Sequence, residues 1–575
     1  MTAEGVCFES IDGHCGVVYR SGISANEIIL LQVYYIARVK RLLKNKSIRG
    51  VKGRSLIVLV ILGIIIAGGT WVWFIEFGGW DFLLENSRRY PQLRRISSLL
   101  DYPDKHYQWK SSMKIFDPLY FGYWYRSNNL KIYDLYISDG DLGKINLYSG
   151  LGCDNRIKVP GELISEGENR AVKASYHGYT FNHWSDKKKS WVIELDSGEE
   201  LNLIVPGDRS YFTESLSSYR AKKFGLLFHE NDWIWLKINN EDMGVYYVTG
   251  GWNNYWLEKS GKRVNQLVGE LGCQIKEGIF PEVWGGVGNW KYYADGTDKK
   301  FSNSYYLQKF LDVVNNPNGG DFSQAIGEIM DVDTLIRWKS VSILMNSFHT
   351  DNVHNWRMWL NPGTLKFEIL PIDRRMTLPT RNLTKSPFII DGSIDRLSSK
   401  IHSSAKLSFA IDQILWEYVR DDNQLEDDLK YWDNLSSRLS SHMYADNKKH
   451  FGNISLRTIP LVRVGLINQY KDIRDYLTTE DLRVEVERSD TKTYLVISSH
   501  QPTQVELESV IINGRELEIS DKLLFSPQVT TLVDGQYIFD RIFDQLRVPI
   551  DCKNDCQVEV TAKNLATGAR ERVSL

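Results

Sequence analysis

From Leu56 to Ile75 the chain reads LIVLVILGIIIAGGTWVWFI, twenty residues without a charge. About 20 helical residues span the roughly 30 Å hydrocarbon core of a bilayer. Such a run restricts the chain to a membrane-spanning helix, a cleaved leader or a very apolar core helix. The flanks decide among these. Arg38, Lys40, Arg41, Lys44, Lys46, Arg49, Lys52 and Arg54 precede the run, and Glu76 and Asp81 follow it. Trp71 and Trp73 lie at its far end, where indole rings favour the interface. A leader fits poorly, because 55 residues precede the run and no small-residue cleavage site follows. The expectation is a single transmembrane helix over 55–76 in the plasma membrane. Its flanking charges place the N-terminal segment 1–54 in the cytoplasm and the large C-terminal part outside.

The remaining length exceeds what one hydrophobic core can organise. In residues 77–128, Arg88, Arg89, Arg94 and Arg95 interleave with Leu83, Leu84, Leu93, Ile96, Leu99 and Leu100, a pattern suited to a short amphipathic helix beside the bilayer. Residues 129–482 read as α+β. The stretches IKVPGELI, AVKASYHGYTF, SWVIELD and ELNLIV form a β-meander, YFTESLSSYRAKKFGLL a helix, and WIWLKIN and GVYYVTG two further strands around a turn in NNEDMG. Helical periodicity returns over 302–348 and 405–480. Residues 483–575 carry short strands at regular spacing, the pattern of a small β-sandwich. The formal net charge of −2 gives no electrostatic case for nucleic acid. The six cysteines form no CxxC pair, so a zinc site has little support. Cys552 and Cys556 are close enough to close a small disulfide loop, or are two unrelated thiols. The Trp and Tyr residues of 233–256 and 284–293 serve either core packing or sugar binding.

The chemistry concentrates in HTDNVHNWRMWLNPGTLKFEILPIDRRM, residues 349–376. Trp356, Met358 and Leu360 alternate as a strand, Asn361-Pro362-Gly363 turns the chain, and Leu365, Phe367 and Ile369 return it. A hairpin of this kind carries Asp351, Asn355 and Asp373 towards one place. Carboxylate and amide oxygens suit a hard cation and its phosphate ligands; a surface hairpin with solvated polar ends is the alternative. His349 and His354 flank Asp351, a placement more often structural than metal-binding. Phosphoryl transfer also needs a cation for the phosphates. Lys188 and Lys189 offer one, although a run of three lysines is also what a solvated turn looks like. Glu214 either pairs with that lysine or lies exposed on its helix. No GxGxxG or Walker A sequence is present, which excludes ordinary protein-kinase and P-loop readings.

These segments, in order, resemble the spore-coat protein H (CotH) family of kinase-like proteins. IYDLYISDGDL looks like the family's opening strand and acidic turn. VKASYHGYTFNHWSDKKKSWVIEL is similar to its segment with a glycine, paired lysines and a serine, here Gly178, Lys188, Lys189 and Ser190. DRSYFTESLSSYRAKKFG resembles its aspartate followed by a helix ending in glycine, and INNEDMGVYYVTG its glycine-bearing strand pair. DNVHN is similar to its D-x-x-x-N catalytic segment, and LPIDRRM to its P-W-D-x-D metal segment. The resemblance covers about residues 130–445. It implies an atypical protein-kinase-like two-lobed domain that uses ATP with Mg²⁺ or Mn²⁺. Asp351 would be the catalytic aspartate, Asn355 and Asp373 the metal ligands, and Lys188 or Lys189 the phosphate contact. Three positions depart from the family pattern: Ile372 replaces a tryptophan, Arg375 an acid and Gly250 a glutamate. The expected architecture is therefore one transmembrane helix, a kinase-like α+β domain and a small all-β sandwich. The expected function is transfer of phosphate from ATP to a protein or surface-polymer acceptor outside the cytoplasm. The alternatives are a pseudokinase or scaffold that binds envelope polymer or a partner protein, or transfer of a group other than phosphate.

Overall fold

The structure is a computed structural model. It describes residues 6–9, 15–18 and 129–575, except 149–156, 179–182, 184–187, 207–211, 265, 272–280, 294–302, 317–320, 348, 374–390, 392, 447, 449–457, 490, 534–535 and 553–555. The chain divides into two units, Met1–Phe74 and Ile75–Leu575. In the first, β1 (Val6–Glu9) and β2 (Cys15–Val18) form an antiparallel hairpin.

The described residues of the second unit begin with β3 (Lys131–Tyr136) and α1 (Asp139–Tyr148). An antiparallel meander follows: β4 (Val159–Ser165), β5 (Glu168–Tyr176), β6 (Trp191–Leu195) and β7 (Glu200–Ile204). Helix α2 (Thr213–Lys223) leads to β8 (Asn231–Ile238) and β9 (Glu241–Gly250). Asn239 and Asn240, both at positive φ, make the two-residue turn between these last strands. β8 then pairs parallel with β3, Lys131 against Ile234 through Leu135 against Ile238, and closes a seven-stranded barrel. Alternation along β8 and β9 serves two cores at once. Ile234, Leu236 and Tyr246 face the barrel interior with Leu135, Leu163 and Ile193. Trp233, Val245 and Tyr247 face outwards into a helical core.

The elements that follow are α3 (Asn254–Lys259), β10 (Leu267–Glu270), β11 (Trp290–Tyr292), α4 (Asn303–Asn315), α5 (Phe322–Gly327), α6 (Val332–Leu344), β12 (Arg357–Asn361), β13 (Lys366–Ile369), α7 (Arg396–His402), α8 (Ala405–Val419), α9 (Asn423–Ala445) and α10 (Thr458–Thr478), all but α3 contributing to that helical core. The four strands order β11-β10-β12-β13. A buried ion pair ties α2 to α9: Arg220 Nη2 lies 2.6 Å from Asp428 Oδ2, with Tyr418 and Tyr470 hydroxyls donating to the same carboxylate.

The chain ends in β14 (Leu482–Arg488), β15 (Thr493–Ser499), β16 (Val505–Ile512), β17 (Arg515–Glu516), β18 (Leu523–Leu524), β19 (Gln528–Val533), β20 (Gln536–Arg541), β21 (Asp544–Ile550), β22 (Val558–Asn564) and β23 (Arg570–Ser574). The β14-β15-β21 sheet and the sheet around β16 and β22 bury Leu495, Ile497, Leu507 and Val560 in one core. Cys552 and Cys556 are joined as a disulfide. These strands are bonded directly to the helices: Arg541 donates to the Tyr476 hydroxyl at 2.5 Å and Asn564 to the Leu477 carbonyl at 2.9 Å.

The two-lobed part of the expected fold is corrected. Strands 131–250 do not make an open β-rich lobe facing a helical lobe. They close into a barrel, and one continuous core joins Ile204, Trp233 and Val245 of the barrel to Leu407, Trp432 and Leu466 of the helices. No helix among the described residues is long and apolar enough to cross a membrane. The expected span over 55–76 lies outside the described residues.

One buried acid in this core makes stability depend on pH. Asp412, on α8, is 4% exposed. Burial pushes its carboxyl up to about 7, against the pull of Arg541. The folded chain thus keeps a proton that the unfolded chain loses near pH 4. The stabilisation is full below that pH and is lost as pH rises through about 7. At about 1.4 kcal/mol per unit, the change is on the order of 4 kcal/mol. Asp412→Asn should flatten this dependence, so the variant gains on the wild type in thermal unfolding between pH 5 and pH 8. A constant difference across that range would mean that Asp412 is ionised throughout.

Candidate functional site

The site is assembled where α6 runs into the β12–β13 hairpin. Asp331 caps α6, accepting from the Thr334 amide at 2.8 Å. The helix buries Trp338 and Leu344 and delivers the chain to His349. Trp356 then anchors the loop. It is fully buried against Trp284 and Trp338, and its indole N–H donates to the Asp351 carbonyl at 2.6 Å. β12 and β13 pair Met358 with Ile369 and Leu360 with Phe367. The turn is fixed by Asn361, whose side chain accepts from the Gly363 amide at 2.9 Å.

At the open end of this hairpin Asn355 and Asp373 both take positive φ, 66° and 44°. That conformation is uncommon for residues with a side chain. It turns both towards His349. The Asn355 amide nitrogen donates to the His349 carbonyl at 2.7 Å and lies 2.7 Å from its Nδ1. The same Nδ1 lies 3.1 Å from Asp373 Oδ2. One ring nitrogen serves one of them at a time: without a proton it accepts from Asn355, and with one it donates to Asp373.

Asp351 is held separately. Its Oδ1 accepts from the Val353 and His354 amides, each at 2.8 Å, and the His354 ring lies 3.2 Å from both carboxylate oxygens. Burial acts to raise this carboxyl, but the bonds from His354 and Val353 outweigh it and hold the group below the usual carboxylate range. His354 is raised in turn, first by its bond to Asp351 and further by the fields of Glu270 and Asp373. Glu270, at the end of β10, accepts from the Trp356 amide at 2.8 Å and from Arg357 at 2.5 Å.

The two lysines are bonded to other parts of the chain. Lys188 is 1% exposed and forms an ion pair with Asp446, the residue that ends α9. Asp446 also accepts from the Val245 amide at 3.0 Å. The approach requires Gly244, at φ 80°, because an added Cβ would lie 2.1 Å from Asp446 Oδ1. Lys189 donates to Asn146 at 3.0 Å, lies over the Tyr176 ring, and is lowered by burial. Glu214 is buried in the first turn of α2, not exposed. Gly250 has no room for the family's glutamate: a Cβ there would lie 2.8 Å from the Nδ1 of buried His229. Arg375 lies outside the described residues.

Residues 174–418 match the family model described as CotH kinase protein. The chain carries a CotH-family domain. A relative of this chain is the inner spore coat protein H of Bacillus subtilis (strain 168), 22% identical over 258 residues, which cover 43% of this chain and 68% of that protein. Asp351, Asn355, Asp373, Lys188 and Lys189 all fall within the CotH match, whereas Asp446 lies beyond it.

Among the described residues, no group of three or more His, Cys, Asp or Glu side chains could hold a metal ion alone. What the hairpin offers is the Asn355 carboxamide oxygen and the Asp373 carboxylate. The Asn355 nitrogen is already committed to His349, which leaves its oxygen as the coordinating atom. One amide and one carboxylate fit Mg²⁺, which keeps several waters and completes its shell with substrate phosphates. Glu270 and Asp446 were not legible as parts of this arrangement. Each is bonded to residues more than eighty positions away, and no local spacing marks it.

Proposed function

We propose that this chain transfers phosphate from ATP to a hydroxyl of a protein or surface-polymer acceptor outside the cytoplasm. The observation that carries the reading is the hairpin mouth, where Asn355 and Asp373 meet at His349 and the Asp351 carboxylate is fixed on the same loop. Asn355 and Asp373 would hold Mg²⁺ or Mn²⁺, which neutralises charge on the phosphates when bound. Asp351 orients the acceptor hydroxyl and takes its proton. Its carboxylate is ionised at neutral pH and already aimed by two backbone amides, so little reorganisation is left for the reaction. Lys188, held by a buried carboxylate, resembles the paired lysine that contacts phosphates in kinase sites. The relative's place in a spore coat supports an acceptor outside the cytoplasm.

Millimolar ATP with Mg²⁺ or Mn²⁺ should raise the thermal midpoint of the full-length protein, by about 2.7 kcal/mol of stability at a hundredfold excess over Kd. Asp373→Ala should abolish the shift. A variant that shifts as far as the wild type would refute the metal assignment. No shift in the wild type with either metal would favour the scaffold reading.

A further inference from the structure

We infer that Asn352 is a positioning residue for Asp351, clamping its loop to two distant segments through all of its carboxamide's hydrogen-bonding atoms. The inference rests on the phosphotransfer reading of this site. Asn352 Oδ1 accepts from the Trp284 indole N–H at 2.7 Å and from the Arg396 backbone N–H at 3.1 Å. Its Nδ2 donates to the Ile394 carbonyl at 3.4 Å, and its own carbonyl accepts from the Val283 amide at 2.8 Å. Three stretches of chain, around residues 283, 352 and 395, therefore meet at one side chain.

Each of those stretches is itself fixed. Arg396 opens α7, so its N–H is one that the helix cannot satisfy. Asp395 takes the Ser398 amide at 2.8 Å, and Asn352 takes Arg396. The segment before α7 is pinned to α6 by buried Lys339, which lies 2.5 Å from Asp391 and donates to Ser393 and Ser398 at 2.9 and 2.6 Å. His402 adds a 2.5 Å contact to Asp391. On the other side, Trp284 packs edge-on against Trp356, the residue that holds the Asp351 carbonyl. Asn352 thus closes a frame around Asp351. The carboxylate is set by the Val353 and His354 amides, and those amides are set by the residue between them and Asp351.

Only a carboxamide fits the three partners. Two donors need an oxygen and a carbonyl needs an N–H. Aspartate keeps the acceptor but opposes an oxygen to the Ile394 carbonyl. Alanine strands the Trp284 and Arg396 donors.

The test uses full-length Asn352→Ala and Asn352→Asp, with two readouts. Amide exchange at Val353 and His354 should speed by about tenfold in Asn352→Ala while α6 keeps its protection. For phosphate transfer, kcat should fall by about 100-fold with the KM for ATP within about twofold, because an ångström of displacement affects chemistry more than binding. Asn352→Asp should show smaller changes in both, and it carries the test if the alanine variant does not fold. Unchanged exchange at Val353 and His354 would overturn the proposal. So would a loss of protection spread evenly over α6 with kcat and KM both altered, the result of a merely structural role. If the wild type transfers no phosphate, the phosphotransfer reading fails, and exchange alone still decides whether Asn352 holds the Asp351 loop.

Discussion

Asp446→Ala is expected to destabilise the folded chain by about 3–5 kcal/mol, the usual result of removing one member of a buried ion pair. Lys188 and Asp446 have essentially no solvent access. Removing the carboxylate takes away a charge that the buried Lys188 ammonium pairs with and strands the Val245 and Lys448 amides that it accepts from. Lys188→Met alone should cost a similar amount, because it leaves the Asp446 carboxylate buried without that cation, with the Val245 and Lys448 amides still donating to it. The double variant Lys188→Met with Asp446→Leu should recover much of the loss, since well-packed apolar pairs often match buried ion pairs in stability. Urea unfolding of the four proteins compares these stabilities directly. If Asp446→Ala costs less than about 1 kcal/mol, the pair behaves like a surface salt bridge and the interior reaches water.

Asp351→Asn should reduce phosphate transfer by about 10²- to 10⁴-fold, the range that a positioned proton acceptor contributes. The substitution is conservative in shape. The asparagine Oδ1 still accepts from the Val353 and His354 amides, so the loop keeps its path. Nucleotide- and metal-dependent stabilisation should survive, because Asn355 and Asp373 are untouched. The contrast with Asp373→Ala is the informative part. One variant binds without turning over, and the other does neither. Transfer at the wild-type rate by Asp351→Asn would remove Asp351 from the chemistry.

Much of the local structure was legible because it is encoded in neighbours. Asn361, Pro362 and Gly363 mark a turn, and the flanking alternation of Met358, Leu360, Phe367 and Ile369 marks two strands. Trp233, Trp256, Trp284 and Trp290 proved to be core residues, one of the two roles the sequence left open for them. Closure of the barrel was not legible. It depends on the parallel pairing of β3 with β8, about a hundred residues apart, and periodicity reports the faces of a strand but not its partner. The same limit explains the failed two-lobed expectation. An apolar outer face on β8 and β9 looks alike in a sequence whether it lines a cleft or packs on helices. At the site, the oxygen-bearing residues stood out by type and order. Their second partners did not, since His349 joins Asn355 to Asp373 through loop conformations at positive φ that nothing in those residue types announces.

The two buried ion pairs also bear on where this protein can be cut. Lys188 and Arg220 belong to the stretch matched by the family, yet their carboxylates, Asp446 and Asp428, come after its last residue, 418. A fragment ending there would lose the carboxylates that Lys188 and Arg220 pair with in its interior. The unit that inherits as a family domain is therefore smaller than the unit that folds, and dissection of this chain should keep α9 attached to the barrel.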